Sequence, residues 1–335
     1  MAAMTTGLTP AGCPRRPQSA RSTAGHGEAA AAAAAAPAYR SRRMLIGAAL
    51  GIVYVVWGST YLAIRIMVGE MPPLIAAGTR FLTAGLLVAG VLVARGGPRR
   101  IAVTGRELAG CALIGVLLPV LGQGAVTVGE KGGAPSGITA LLIAAVPLWV
   151  ICYRMLSGER PARRTLIGVV LGFGGVAVVI AANGVGGVFP PWTIAAVVLA
   201  GLSWALGSWC QPRLRLPGDP FVVVVYEMLA GGGVLTVIGL ASGEGFHPLA
   251  YSARSWLAWA YLVVFGSVVA FSAYVWLLQS AAVSLAATYA YVNPLVAVLL
   301  GWLILAEPVT MPTIAGGAVA VAAVAIVVSS EGARR

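Results

Sequence analysis

Charge is scarce in this chain. Only 10% of its 335 residues are charged, against about 25% in soluble domains. With 59% hydrophobic residues, that balance excludes a soluble globular protein. Histidine is nearly absent: His26 and His247 are the only two, and neither stands in an apolar run. A serine–histidine dyad or an HExxH zinc helix therefore cannot form inside a bilayer. Asp219 is the only aspartate, which excludes paired intramembrane aspartates. A Walker A sequence is missing, so the chain does not itself hydrolyse ATP. The four cysteines, Cys13, Cys111, Cys152 and Cys210, lack CxxC spacing and imply no external disulfide, metal site or cofactor. Rings of like charge and repeated backbone filters, the marks of a channel, are not visible either. The expectation is a membrane protein that is not an enzyme.

What the chain has instead is apolar length. Windows of about 20 residues place ten spans: Met44 to Ile64, Pro73 to Ala94, Leu108 to Val128, Ala134 to Leu156, Thr165 to Asn183, Trp192 to Gln211, Phe221 to Ala241, Ser255 to Gln279, Ala282 to Leu305 and Pro312 to Ser329. The formal charge of +12 is explained by where it sits. If the first span enters from the cytoplasm, 18 of the 22 Lys and Arg fall on the cytoplasmic side, in the N-terminal stretch, at Arg95 to Arg106, at Arg154 to Arg164, at Arg213 and Arg215, and at the C-terminus. Only Arg65, Lys131 and Arg254 fall outside, and Arg80 lies within a span. This is the positive-inside bias of a multi-pass protein with both termini cytoplasmic, so the basicity is topological and no nucleic-acid partner is implied. Residues 1–43, with an eight-alanine run at Ala29 to Ala36, read as a disordered cytoplasmic tail. The 21 Arg against one Lys, with abundant Ala and Gly, point to a GC-rich bacterial genome and hence a bacterial plasma (inner) membrane.

The spans repeat. Counting back 147 residues carries Pro294 to Pro147, Trp204 to Trp57, Leu229 to Leu82 and Gly232 to Gly85; at 148, Glu307 falls on Glu159 and Gly316 on Gly168. A repeat of five spans enters the membrane from opposite sides in its two copies, so residues 44–183 and 190–329 are expected to form two inverted halves. That plan places a site near the midplane between the halves. Helix breaks are expected at Pro147 and Pro294, since proline removes a backbone donor and frees a carbonyl one turn earlier.

Polar residues at depth are the candidate site. Trp57, Thr60 and Tyr61 share a face of the first span, and Trp204 is the repeat mate of Trp57; an outer aromatic belt is the alternative reading of that face. Arg80 in the second span costs about 2.5 to 3.5 kcal/mol on insertion scales, and its mate at 147 is Glu227. Paired, they form a structural lock. Apart, Arg80 is a counter-charge for an anionic substrate group, and Glu227 binds an amine or a proton. Gln123 at mid-depth contacts substrate or bridges helices, and Tyr274 stands on an aromatic stripe of the eighth span. Tyr289 and Asn293, four apart beside Pro294, form the stronger pair. Glycines at Gly47 and Gly51, Gly168 and Gly172, and Gly316 with Ala320 have close-packing spacing, for helix contact within the chain or with a second copy in a homodimer.

TYAYVNPLVAVLLGWLILAEP, its weaker copy GITALLIAAVPLWVICYRMLSGERP, and the WGSTYLAIR and TRFLTAG segments together resemble the EamA family of the drug/metabolite transporter superfamily. The resemblance covers residues 44–329 as two five-helix EamA repeats. It implies an all-α integral membrane fold of ten transmembrane helices, a central cavity between the repeats, and movement of a small-molecule substrate through the lipid bilayer without ATP, commonly export of amino acids or related compounds. Proton or exchange coupling would then supply the energy. An anionic site with aromatics would suit the alternative cargo, lipophilic cations and drugs. Arg154 and Glu159 in the first copy depart from the family's usual pattern.

Overall fold

The computed structural model describes residues 19–134, 139, 142–183, 190–305 and 310–332. It divides into a unit of residues 1–45 and a unit of residues 46–335, and the site lies in the second. Among the described residues every regular element is helical. Helix α1 runs Ser19–Glu70 and α2 Pro73–Gly96; α3, Gly105–Gly115, passes through a π-helical segment, Val116–Gly124, into α4, Ala125–Lys131. Then come α5 Val146–Leu156, α6 Arg163–Asn183, α7 Pro191–Cys210 and α8 Pro220–Ala241. Helix α9, Ala253–Tyr261, passes through a second π-helical segment, Leu262–Phe271, into α10, Ser272–Ser280. Helices α11 Val283–Ala286, α12 Tyr289–Leu305 and α13 Met311–Gly332 complete the chain.

The starts follow local chemistry. Prolines 73, 191 and 220 occupy first positions, where the missing amide would have been unpaired. Thr104 opens α3 with a capping box: its hydroxyl accepts from the Glu107 amide at 3.4 Å, and the Glu107 carboxylate accepts from the Thr104 amide at 2.7 Å.

Eight described helices are long and apolar enough to cross a membrane, and Leu142–Leu156 is a shorter apolar helix. The fourth and ninth of the ten expected spans are not single long helices. In the fourth, a turn at Ala145 precedes α5, two residues before Pro147. In the ninth the interruption lies at Ala287 and Thr288, while Pro294 sits inside α12. The break is satisfied by side chains: the Thr288 hydroxyl donates to the Leu285 carbonyl at 2.6 Å and accepts from the Tyr54 hydroxyl at 2.6 Å. The positions of the fourth span that match 287 and 288 at an offset of 147, residues 140 and 141, lie outside the described residues, as does Glu307. The stretch expected as a disordered tail is helical from Ser19 onward; alanine has the highest helix propensity, and the eight-alanine run lies in it.

Repeat-related helices meet at glycine. On α2 and α8, a Cβ at Gly232 would come within 2.7 Å of the Leu82 amide nitrogen and 2.8 Å of the Gly78 carbonyl oxygen. On α6 and α13, a Cβ at Gly175 would come within 2.7 Å of the Gly316 carbonyl, and one at Gly316 within 2.7 Å of that of Gly175. Gly172 makes room for Tyr291, whereas Gly47 and Gly51 face open space. The two π-helical segments fall at matching repeat positions. Pro119 accounts for the first, since it cannot continue an α-helical ladder.

Candidate functional site

A cavity lies where α1, the first π-helical segment, α4, α5, α7 and α12 converge. Its floor is four rings. Trp57 packs on Trp204 edge to face at 5.4 Å between centroids, on Tyr289 at 4.9 Å and on Tyr274 at 5.0 Å, while Tyr274 lies 5.7 Å from Trp204 and 5.5 Å from Tyr289. The two tryptophans are repeat mates. Their ring nitrogens are held: Trp57 Nε1 donates to the Gly266 carbonyl in the second π-helical segment at 3.1 Å, and Trp204 Nε1 to the Tyr274 hydroxyl at 3.2 Å. Tyr274 in turn shares a 2.6 Å hydrogen bond with Ser208. Gly122 lets Trp204 lie flat on the first π-helical segment, since a Cβ there would come within 2.6 Å of the indole.

Above this floor, Thr60, Tyr61 and Ile64 of α1, Gln123 and Val126, Ile143 and Val146, Ala200 and Asn293 complete the lining. Asn293 is 2% exposed and its Oδ1 has no hydrogen-bond partner among the described residues. Its repeat mate Val146 lines the opposite side, so the symmetric frame carries an asymmetric polar group. The cavity offers about 30 Å³ to the centres of water molecules, room for about two waters.

The expected residues divide into two sets. Trp57, Thr60, Gln123, Trp204, Tyr289 and Asn293 come together at the cavity. Thr60 spends its hydroxyl on the Trp57 carbonyl at 2.8 Å. Tyr274 lies beneath the lining, as part of the floor. Arg80 and Glu227 are buried and are not among the residues lining this cavity, nor do they lock: among the described residues no ion pair within 4.0 Å joins them to each other or to any other group. Arg80 instead lies over the Phe81 ring at 4.2 Å, and Phe81 meets Phe271 at 6.2 Å.

Two residues escaped the candidate set. Tyr61 was seen only as part of a face; it lines the cavity beside Asn293. Glu130 follows Val126 by one helical turn on the same stripe of α4, and both its carboxylate oxygens are buried without a hydrogen-bond partner among the described residues. Arg65 is the opposite charge in its field. The spacing from Gln123 through Val126 to Glu130 was the available signal.

The arginine-rich end of the bundle is tied shut across the two repeats. Arg154 Nε meets Glu159 Oε2 at 2.8 Å and its Nη1 meets Glu331 Oε1 at 3.0 Å. Arg154 also donates to Ser284, and Arg213 pairs with the second oxygen of Glu159. Thr165 completes the set, donating to Glu331 at 3.2 Å. At the opposite end the Glu244 carboxylate accepts from the Leu74 and Ile75 amides, at 3.1 and 2.9 Å, capping the N-terminus of α2. Because α1 and α12 run away from the arginine-rich end, the cavity lies on the far side of the ring floor from that network.

Residues 45–181 and 191–329 each match the model of the EamA-like transporter family. The uncharacterized inner membrane transporter YedA of Escherichia coli (strain K12) is 40% identical over 263 residues, covering 78% of this chain and 84% of its own. The uncharacterized transporter YvbV of Bacillus subtilis (strain 168) is 27% identical over 85% of this chain and 92% of its own. A probable amino-acid metabolite efflux pump of Salmonella typhimurium (strain LT2) is 29% identical over 47% of this chain and 50% of its own. A crystal structure superposes with a TM-score of 0.70 at 20% identity, covering 87% of this chain and 98% of that one.

Proposed function

Since the chain belongs to the EamA-like transporter family, we propose that it is a secondary transporter that exports small metabolites, amino acids or related compounds, across a bacterial inner membrane. It works by alternating access without ATP hydrolysis, as ten spans in two inverted repeats that rock about the cavity. The observation that carries this reading is the cavity itself: repeat mates Trp57 and Trp204 meet at its floor, and the buried, unpartnered Oδ1 of Asn293 lines it. An unsatisfied buried acceptor is costly, and a cargo donor relieves it. With the arginine-rich end cytoplasmic, the described state is closed toward the cytoplasm by the rings and the Arg154 network. The printed name of the Salmonella relative supports amino-acid-related cargo.

Lipophilic cations are the second reading, favoured by one observation. No basic side chain is among the described residues lining the cavity, whereas ring faces and an amide oxygen attract positive charge. Cells with and without the protein, challenged with toxic amino-acid analogues and with cationic dyes, separate the two. Resistance to analogues alone supports metabolite export, resistance to dyes alone supports the second reading, and indifference to both sets overturns export.

A further inference from the structure

The ring floor has a mirror position that the described state leaves unmade. Its two tryptophans cross between the repeats: Trp57 donates from Nε1 to the Gly266 carbonyl in the second π-helical segment at 3.1 Å, and Trp204 lies on Gly122 in the first. Those segments end at Gly124 and Phe271, which the 147-residue offset relates, so the repeat holds in the folded chain at this level. What fixes Trp204 is a pair of hydroxyls. Tyr274 on α10 accepts from its Nε1 at 3.2 Å and shares a 2.6 Å hydrogen bond with Ser208 on α7. At the same offset Tyr274 falls on Thr127 and Ser208 on Tyr61. Each pair thus holds one tyrosine and one small hydroxyl, with the two kinds exchanged between the helices, so either pair has the same reach.

Tyr61 lines the cavity on α1, and Thr127, buried on α4, stands one turn after the lining residue Gln123. Their helices already meet toward the end away from the arginine-rich network, where Lys131 Nζ donates to the Val68 carbonyl at 2.8 Å. In the described state Thr127 donates to the Gln123 carbonyl of its own helix at 2.8 Å, and Trp57 Nε1 is held by Gly266. When two inverted halves rock about a fixed site, the contacts that close one side recur at their mates to close the other. From this correspondence we propose that Tyr61 and Thr127 are the far gate, positioning residues that close the cavity on the side away from the arginine-rich end when that end opens. The proposal rests on the transporter reading above. A hydroxyl has two acceptor sites besides its donor, so Thr127 keeps its bond to Gln123 while one site takes Trp57 Nε1 and the other the Tyr61 hydroxyl. The set of Tyr274, Ser208 and Trp204 comes apart in the same movement.

The test uses the full chain in proteoliposomes, with the native cysteines replaced and a single cysteine at position 288, and it needs no cargo. An impermeant thiol reagent is applied from the arginine-rich side, and the labelling rate reports how often that end opens. Tyr61→Phe should slow labelling about fivefold, the factor that one hydrogen bond is worth. Thr127→Val, which loses two bonds of the open state, should slow it further, and the double variant should be no slower than Thr127→Val alone. Thr127→Ser keeps the hydroxyl and should label at the wild-type rate. Ser208→Ala and Tyr274→Phe loosen the described state and should speed labelling by about fivefold, a change of sign that a general packing role does not produce. Rates in Tyr61→Phe and Thr127→Val at or above that of wild type overturn the gate and leave alternating access standing. A double variant slowed by the product of the two single effects overturns the pairing in the same way. Absence of labelling from that side in wild type and in every variant overturns the transporter reading and the gate with it.

Discussion

At the scale of single residues, the cavity sets opposite demands on one side chain. Asn293 buries an amide oxygen that has no hydrogen-bond partner among the described residues. Replacing it by leucine, of similar branched shape, should leave stability unchanged or raise it by about 1 kcal/mol, while transport falls at least about tenfold because a cargo donor loses its partner. Melting in detergent and uptake in vesicles check the two halves; a joint fall in both would mark Asn293 as packing. Much of this was legible beforehand. The 147-residue offset linked Trp57 with Trp204, and the spacing of Tyr289 and Asn293 put both on one face. Arg80 and Glu227 were legible as buried but not as to what they face. Depth follows from counting along a span, whereas direction follows from which side of a helix is polar, and apart from Glu227 itself α8 carries no charged residue to mark a side. Glu130 was hidden for a different reason, lying near a span end where a carboxylate raises no question of cost.

At the scale of helices, glycine decides which pairs meet. Gly175→Leu on α6 and Gly232→Leu on α8 push a side chain into backbone that lies 2.7 Å from the first added carbon. Each should destabilise by about 1–3 kcal/mol or more, seen as a lower melting temperature. Gly47→Leu and Gly51→Leu, with nothing within 4 Å, should leave it unchanged. Gly47 and Gly51 have the close-packing spacing in the sequence, whereas Gly175 and Gly232 lie in glycine runs without it. What separates them is the partner helix, which spacing alone does not name. Proline likewise marked that the fourth and ninth spans are irregular without marking where. Thr288, whose hydroxyl satisfies Leu285 and takes a hydrogen from Tyr54, makes the break affordable six residues before Pro294.

At the scale of the whole molecule, the two ends are fastened by different chemistry. The arginine-rich end uses a network in which the Arg154 side chain is 12% exposed and that of Glu331 is 4% exposed. Arg154→Ala strands Glu331 and should shift the population toward a state open at that end. A single cysteine at position 288, in a chain otherwise free of cysteine, should then react on the order of tenfold faster with an impermeant thiol reagent applied from the arginine-rich side. Equal rates would place the barrier in the ring floor alone. The central claim, that cargo moves through the Trp57, Trp204 and Asn293 cavity by alternating access, is tested most directly by counterflow. Vesicles holding the purified protein are loaded with unlabelled members of a panel of amino acids and organic cations, and entry of the labelled counterpart is followed. At least one panel member should show entry stimulated by its own internal pool, and Asn293→Leu should abolish that stimulation. Stimulation that persists undiminished in Asn293→Leu would contradict the account.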